Sequence, residues 1–490
     1  MRNDKKVVNK PSSSLIFSGV FWKFGERILA QSVSLVVSIV LARFLLPEQY
    51  GVIAIVLIFI AFADVLTVSG YSASLIQKKD ATKVDFDSIF YCSLATSILV
   101  YLILFFCAPL IASFYSMPLL IPVIRVFSLR IIISSYNSVQ HAFVSRHMLF
   151  KKFFFSTLFG TLVSGVVGIY LATKGAGVWA LVAQYLTNTV IDSIVLSFTI
   201  KWHPGRNFSW LSVKGLMKFG WKVLAADFSG TFFDQLRSLL IGRAYTSADL
   251  ALYNKGQQLP SLVIDNANNS IMAVLFPAIA NSNDNMDRVK QLTRQLVRTI
   301  SYVTIPIAAL LCLVARPLII VLLTEKWSDA TIYMQLLCMA AAISLTGNIS
   351  LQTVKAVGRS DILLKLEFVK KPVYVLLLVI GMNISVVAVA VTSLLYAIYS
   401  TVVNSKAMSK ITGYTLSLQM RDMLKGYVVG ALCCILPLAV LLLDMPPLFL
   451  VLAQGVLFIA SYAVLVKVMK ITEIKNMAMM IFRKVRRKNG

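Results

Sequence analysis

About fourteen runs of roughly twenty apolar residues follow one another along this chain, and nothing constrains its fold more than that succession. They fall near residues 18–43, 49–73, 86–112, 119–143, 153–173 and 176–199. After a polar stretch they resume near 215–242, 249–279, 296–323, 330–353, 362–381, 384–404, 424–443 and 447–469. A helix of about twenty residues rises about 30 Å, the thickness of a bilayer's hydrocarbon core. The expected fold class is therefore an all-α polytopic membrane protein with about fourteen transmembrane helices. Composition agrees: 58% of the 490 residues are hydrophobic and only 14% charged. That balance leaves little chain for an extramembrane domain and excludes disorder, secretion or a cytosolic enzyme. The first apolar run contains Lys23, Glu26 and Arg27, so it reads as a retained span, not a cleaved leader.

A formal charge of +26 would suggest a nucleic-acid partner in a soluble protein. Here the basic residues sort by loop parity. Thirty-five lie on one side, among them Lys78, Lys79, Arg146, Lys151, Lys201, Arg288, Arg294, Lys355, Lys406 and eight in the tail from Lys467 to Lys488. Five (Arg43, Lys174, Arg243, Arg316, Lys326) lie on the other, and seven fall within spans. The positive-inside rule places both termini in the cytoplasm, and orientation plus anionic lipid account for the charge without nucleic acid. The six cysteines sit in apolar runs without CxxC spacing, and His141, His147 and His203 form no cluster. No metal, haem, disulfide framework or other cofactor is expected. Opposite-side loops are short. The cytoplasmic connections are longer, and two, Phe208 to Phe219 and Leu416 to Tyr427, mix apolar and basic residues as helices lying on the inner membrane face do, or as ordinary connectors.

The two halves share a pattern. Phe21-Trp22-Lys23 opens the first span, which ends at Ala42-Arg43 before Pro47-Glu48-Gln49-Tyr50-Gly51. Gly220-Trp221-Lys222 opens the seventh, which ends at Gly242-Arg243 before Ala248-Asp249-Leu250. An offset of about 200 residues across six spans gives copies of the same orientation, related by a pseudo-two-fold axis along the membrane normal. The expected organisation is an N-lobe at 1–200, a cytoplasmic linker at 201–213, a C-lobe at 214–410, and two further spans with a basic tail at 411–490.

Twelve ionisable residues read as lying inside spans: Lys23, Glu26, Arg27, Asp64, Arg125, Arg130, Lys222, Asp227, Asp234, Arg237, Lys255 and Asp265. Facing all of them into lipid would cost on the order of 30 to 40 kcal/mol, so most must face one another or a water-filled cavity. Lys23, Arg27, Gln31, Ser34 and Ser38 form one polar stripe, and Asp227, Gly230, Asp234 and Arg237 a second. A third comprises Lys255, Gln258, Asp265 and Asn269. Cations exceed acids, which favours anionic cargo such as phosphate. The candidate cavity cations are Lys23, Arg27, Arg125, Lys222, Arg237 and Lys255. Arg125 is preferred to Arg130, which lies about 140° away around the helix. Lys23, Lys222 and Lys255 lie near span ends and can equally snorkel to the interface.

The stretch Ala42-Arg43-Phe44-Leu45-Leu46-Pro47-Glu48-Gln49-Tyr50-Gly51 resembles the loop after the first span of bacterial polysaccharide-exporting flippases. Phe208-Ser209-Trp210, Lys218-Phe219-Gly220, Asp234 through Gly242-Arg243, and Tyr253-Asn254-Lys255 resemble their junction between lobes, and Phe276-Pro277 the end of their eighth span. The resemblance covers about residues 12 to 430. It is closest to the Wzx-type exporters of exopolysaccharide and O-antigen units, in the superfamily of lipid II flippases and multidrug extruders. It implies a V-shaped pair of six-helix bundles with two appended helices, in the bacterial cytoplasmic (inner) membrane. Such a transporter moves an undecaprenyl-diphosphate-linked oligosaccharide by alternating access and is no enzyme. It also implies coupling to H+ or Na+, with Asp64, Asp227, Asp234 and Asp265 as candidate carriers, and a polymerase and export machinery as partners. Two other functions remain open. A cation-coupled multidrug or metabolite exporter of the same fold would favour acids and aromatics over the cation surplus seen here. A membrane polymerase or glycosyltransferase would need a sizeable catalytic loop, and no nucleophile–base pair is found.

Overall fold

The computed structural model describes residues 13–266, 272, 276, 278–443 and 445–471, with the side chains of 13–24, 26–28, 265 and 360 outside the description. The described chain is helical, without a strand. Ten of its helices are long and apolar enough to cross a membrane, which makes this a multi-pass membrane protein. The remaining four runs expected from the sequence have identifiable features. α1 (Ser13–Phe44) is described with side chains over only part of its length, and the eighth run falls partly outside the described residues. α9 (Trp210–Ala244) and α14 (Ser360–Met382) are full-length helices diluted by charge, the latter by Asp361, Lys365, Glu367, Lys370 and Lys371.

Two compact units divide the chain, Met1–Leu250 and Ala251–Gly490. The first contains α1, α2 (Pro47–Asp64), α3 (Gly70–Gln77), α4 (Lys83–Phe114), α5 (Leu120–Phe127), α6 (Leu129–Arg146), α7 (Phe150–Thr173), α8 (Val178–Thr199) and α9. Within it α1 packs on α7, α7 on α8, α6 on α4 and α8, and α9 on α2 and α3. α10 (Ser247–Pro260) straddles the division. The second unit holds α11 (Met286–Leu313), α12 (Ala315–Leu323), α13 (Ala330–Ala356), α14, α15 (Val386–Thr412), α16 (Leu416–Ala439) and α17 (Pro447–Val468). There α13 packs on α15, α15 on α14, α11 on α13 and α16, and α16 on α17.

Helix starts follow local chemistry. Thr82 and Asp85 form a reciprocal cap at α4, and Thr246 and Asp249 do the same at α10. Pro47 opens α2, where its missing N–H costs nothing. Asn285 caps α11, which therefore begins at Met286, about ten residues before the apolar run expected at 296, and it breaks at Val314. Neither Phe208–Phe219 nor Leu416–Tyr427 is a separate surface helix: Trp210 and Leu416 begin α9 and α16, which continue unbroken into the apolar run.

Packing runs on small residues. The buried face of α4 carries Ser93, Ser97, Ala108 and Ala112, while Leu99, Phe106 and Leu110 are exposed. α7 buries Gly160, Ser164, Gly165 and Gly168 and exposes Phe159, Leu162 and Val166. Helices whose apolar side chains can face lipid gain little by burying them, so close backbone approach supplies the contact. A close crossing joins α3 and α9. A Cβ on Gly220 would lie 2.7 Å from the Gly70 carbonyl oxygen, and one on Gly70 would lie 2.6 Å from that of Gly220. This crossing, with the Phe62–Phe228 ring pair at 5.5 Å, fastens α9 into the first unit although its sequence pattern matches α1. The connector ahead of α9 is anchored too. Trp202 is buried and donates to Asp87 at 3.2 Å, the Tyr91 hydroxyl donates to the Gly205 carbonyl at 2.9 Å, and the Ser209 N–H donates to the Ser88 hydroxyl at 2.9 Å, all three partners lying on α4.

The repeat reappears in backbone geometry. α2 and α10 begin at matching offsets after α1 and α9, and each runs into a π-helical turn, Val65–Ser69 in the first case and Ser261–Asp265 in the second.

Candidate functional site

The first unit contains a polar seam that the apolar character of its helices does not predict. Asp64 is the last residue of α2, immediately before the π turn, a deformation that occurs often at functional sites. In that turn the Thr67 hydroxyl donates to the Ala63 carbonyl at 2.8 Å, and the Thr67 carbonyl accepts from the Ser93 hydroxyl at 2.6 Å. The Asp64 carboxylate faces Arg130 of α6 at 3.6 Å, and Arg130 Nε donates to the Thr189 hydroxyl of α8 at 3.2 Å. Both charged side chains are mostly buried, so each neutralises what would be an expensive isolated charge.

Further along the same two helices, Asp192 Oδ2 of α8 accepts from Asn137 Nδ2 at 2.6 Å and lies 2.9 Å from His141 Nε2. Gln140 Nε2 donates to the Ser197 hydroxyl at 2.8 Å, and the Tyr136 and Ser197 hydroxyls are 2.9 Å apart. Asn188 of α8 reaches Ser164 of α7 at 3.4 Å. α6 thus presents Arg130, Asn137, Gln140 and His141 to α8.

Of the cations expected from the sequence, Arg125 on α5 lies over the Phe105 ring, its Cζ 4.3 Å from the centroid, with Nε donating to the Phe105 carbonyl at 3.4 Å. The arginine that the structure brings to Asp64 is Arg130. Lys222 on α9 is exposed, and Arg237 on the same helix is half-buried. Asp227 accepts a hydrogen bond from Ser69 of the π turn, and Asp234 is exposed. Lys23 and Arg27 lie on α1 and Asp265 in the second π turn, but their side chains are outside the described residues. In the second unit Lys255 of α10 donates to Gln258 at 3.2 Å and lies 5.8 Å from the centroid of the buried Trp327. The arrangement therefore gathers Asp64 with Arg130 and leaves Lys222 and Asp234 of α9 exposed. The sequence reading passes over Asp192. Its signal is an acid within an otherwise apolar run, opposite a polar i, i+3, i+4 set on α6.

The second unit has one strong ionic knot. Asp422 of α16, 4% exposed, accepts from Arg294 and Arg298 of α11 at 2.6 Å each and from the Tyr414 hydroxyl at 2.8 Å. Burial and the facing carboxylate hold the Tyr414 phenol well above its ordinary value.

Residues 40–332 match the family described as polysaccharide biosynthesis protein, more than half of the chain. The chain belongs to that family. The lipopolysaccharide biosynthesis protein WzxC of Escherichia coli (strain K12) is 25% identical over 402 residues, 80% of each chain. The succinoglycan biosynthesis transport protein ExoT of Rhizobium meliloti (strain 1021) is 23% identical over 324 residues, 66% of each. Among solved structures, the lipid II flippase MurJ in an inward closed conformation superposes with a TM-score of 0.72 at 12% identity, covering 92% of this chain and 99% of MurJ. An inward-facing multidrug resistance transporter of the MATE family gives 0.57 at 16% identity, over 78% and 96%. The fold is the one these transporters share.

Proposed function

We propose that the protein is a flippase of the bacterial cytoplasmic membrane. It carries an undecaprenyl-diphosphate-linked oligosaccharide repeat unit from the cytoplasmic to the periplasmic leaflet for surface polysaccharide biosynthesis. The observation that carries this reading is the family match over residues 40–332, together with relatives named for lipopolysaccharide and succinoglycan biosynthesis. Both termini are cytoplasmic in this proposal, as the one-sided distribution of Lys and Arg requires. The diphosphate is held by cations drawn from Lys23, Arg27, Arg125, Lys222, Arg237 and Lys255, and the polyprenyl tail stays in lipid. Alternating access exposes the site to one leaflet at a time. Coupling to H+ or Na+ through Asp64, Asp227, Asp234 or Asp265 completes the proposal, with the polymerase and export machinery acting on the product.

Deletion of the gene tests it. The expected result is loss of the surface polymer and accumulation of its lipid-linked repeat unit with the sugar accessible only from the cytoplasmic leaflet. An Arg125→Glu variant at wild-type membrane levels should reproduce that phenotype. Unchanged polymer in the deletion strain would overturn the reading, and drug sensitivity as its sole phenotype would move the function to small-molecule export.

A further inference from the structure

The seam between α6 and α8 holds four buried oxygens that lack a partner, although the Ser156 hydroxyl of α7 also hydrogen-bonds to the Asp192 carboxylate. Asn137 Oδ1, Gln140 Oε1, Asp192 Oδ1 and Ser193 Oγ are all buried without a hydrogen-bond partner. Three of their residues are closed off entirely or nearly so: Gln140 is 0% exposed, Ser193 6% and Asp192 8%. Burying such atoms costs desolvation that nothing in the chain offsets, so an occupant is called for.

The amide orientations decide what kind of occupant. Turning Asn137 over would set its oxygen against the Asp192 carboxylate. Turning Gln140 over would set its oxygen toward the Ser193 carbonyl, to which Nε2 now donates at 3.4 Å. With both amides fixed, Asn137, Gln140 and Asp192 each keep one buried oxygen without a donor, and the Ser193 hydroxyl adds a fourth. One proton would satisfy one of these atoms, whereas a hard cation satisfies several at once through oxygen ligands. Charge argues for a monovalent ion. Asp192 is the only carboxylate of the set, its other oxygen already shared by Asn137 and His141, and the next carboxylate, Asp64, is engaged with Arg130. A divalent ion would leave net positive charge in a buried place.

We propose that the α6–α8 seam binds a monovalent alkali cation, with Asp192, Asn137, Gln140 and Ser193 supplying its oxygens. Ion access passes beside His141, whose side chain is 40% exposed. In the transport reading this cation is a coupling ion at a residue outside the four acids expected from the sequence. Binding itself does not depend on that reading.

The test uses the purified full-length protein in detergent. Thermal unfolding is followed in NaCl, KCl and choline chloride at equal ionic strength, and binding of radioactive 22Na+ is measured directly. Alkali salts should raise the unfolding midpoint in a saturable way that choline does not match. Asp192→Asn, which keeps the shape, should weaken apparent 22Na+ affinity at least about tenfold, Ser193→Ala should weaken it less, and the exposed Asp361→Asn should leave it unchanged. Identical midpoints in all three salts with no 22Na+ bound, as expected if water fills the seam, would overturn the proposal. So would binding that is unchanged in a folded Asp192→Asn protein. Polymer export by the same variants in cells is scored separately. Absent Na+ binding with normal wild-type export refutes the site alone, whereas intact Na+ binding in a protein whose deletion spares export refutes the flippase reading alone.

Discussion

Three glycines on α9 make the α3–α9 crossing a controlled experiment. Gly215 and Gly230 have nothing within 4 Å of where an added methyl would sit, whereas at Gly220 the Gly70 carbonyl oxygen stands 2.7 Å away and Met217 Sδ 3.1 Å away. Replacing a mid-helix glycine by alanine removes backbone freedom from the unfolded chain and is worth about 0.5–1 kcal/mol in favour of the helix. At Gly220 the methyl meets a backbone atom that cannot rotate aside, and overpacking of this kind costs about 1–3 kcal/mol. Gly220→Ala should therefore destabilise by roughly 1–2 kcal/mol net, while Gly215→Ala and Gly230→Ala stabilise by up to about 1. Thermal unfolding of the purified variants in one detergent, read by tryptophan fluorescence, should order the midpoints with Gly220→Ala lowest and the other two at or above wild type. Adding Gly70→Ala to Gly220→Ala should cost less than the sum of the single changes, because both force apart the same pair of helices. A Gly220→Ala midpoint equal to that of Gly215→Ala would show that α9 is not held by this contact.

Three other outcomes follow from the packing and the ionic pairs. Asp422→Ala, which strips a buried Tyr414 hydroxyl and two guanidiniums of their acceptor, should cost about 3 kcal/mol, whereas Arg294→Ala should cost within about 1 because Arg298 and Tyr414 remain; thermal midpoints distinguish the two. Gly51→Ala would bring a methyl 1.9 Å from the Ser247 carbonyl oxygen, and a loss of about 3 kcal/mol or more should appear as a sharp fall in folded protein recovered from membranes. Arg130→Leu should lower the unfolding midpoint by leaving Asp64 without its cation, and adding Asp64→Asn should restore part of the loss; an additive double variant would mean that the pair is not coupled.

Element existence was legible in the sequence because a bilayer-length apolar run admits few other structures. Helix ends were less so. Hydropathy marks where a helix meets hydrocarbon, whereas Asn285, in what reads as polar loop, sets the start of α11 by capping about ten residues before the apolar run. The offset pattern pairs α1–α2 with α9–α10, and both pairs run into π turns. It carried no information on packing, because α9 is held by glycine contacts to α3 that repeat matching does not detect. For the site, counting charges found Asp64 and Arg130 but not their pairing, since angular position on one helix says nothing about which neighbour faces it. Arg125, preferred for its shared face with Ser128, lies over the Phe105 ring, a contact that its position on one helix does not foretell. Asp192 gains its setting from Asn137 and His141 about fifty residues earlier, a relation visible only once α6 and α8 lie side by side.

The anchored connector bears on how this protein can be cut and rejoined. A protease site or fluorescent insertion within residues 201–209 would break a strap whose tryptophan and backbone carbonyl are gripped by α4, and a half-protein ending there would lack the helix that α2 and α3 are built to receive. The boundary between the two compact bodies is no better a place to cut, because it falls between the buried Leu250 and Ala251 in the first turns of α10 and would sever that helix.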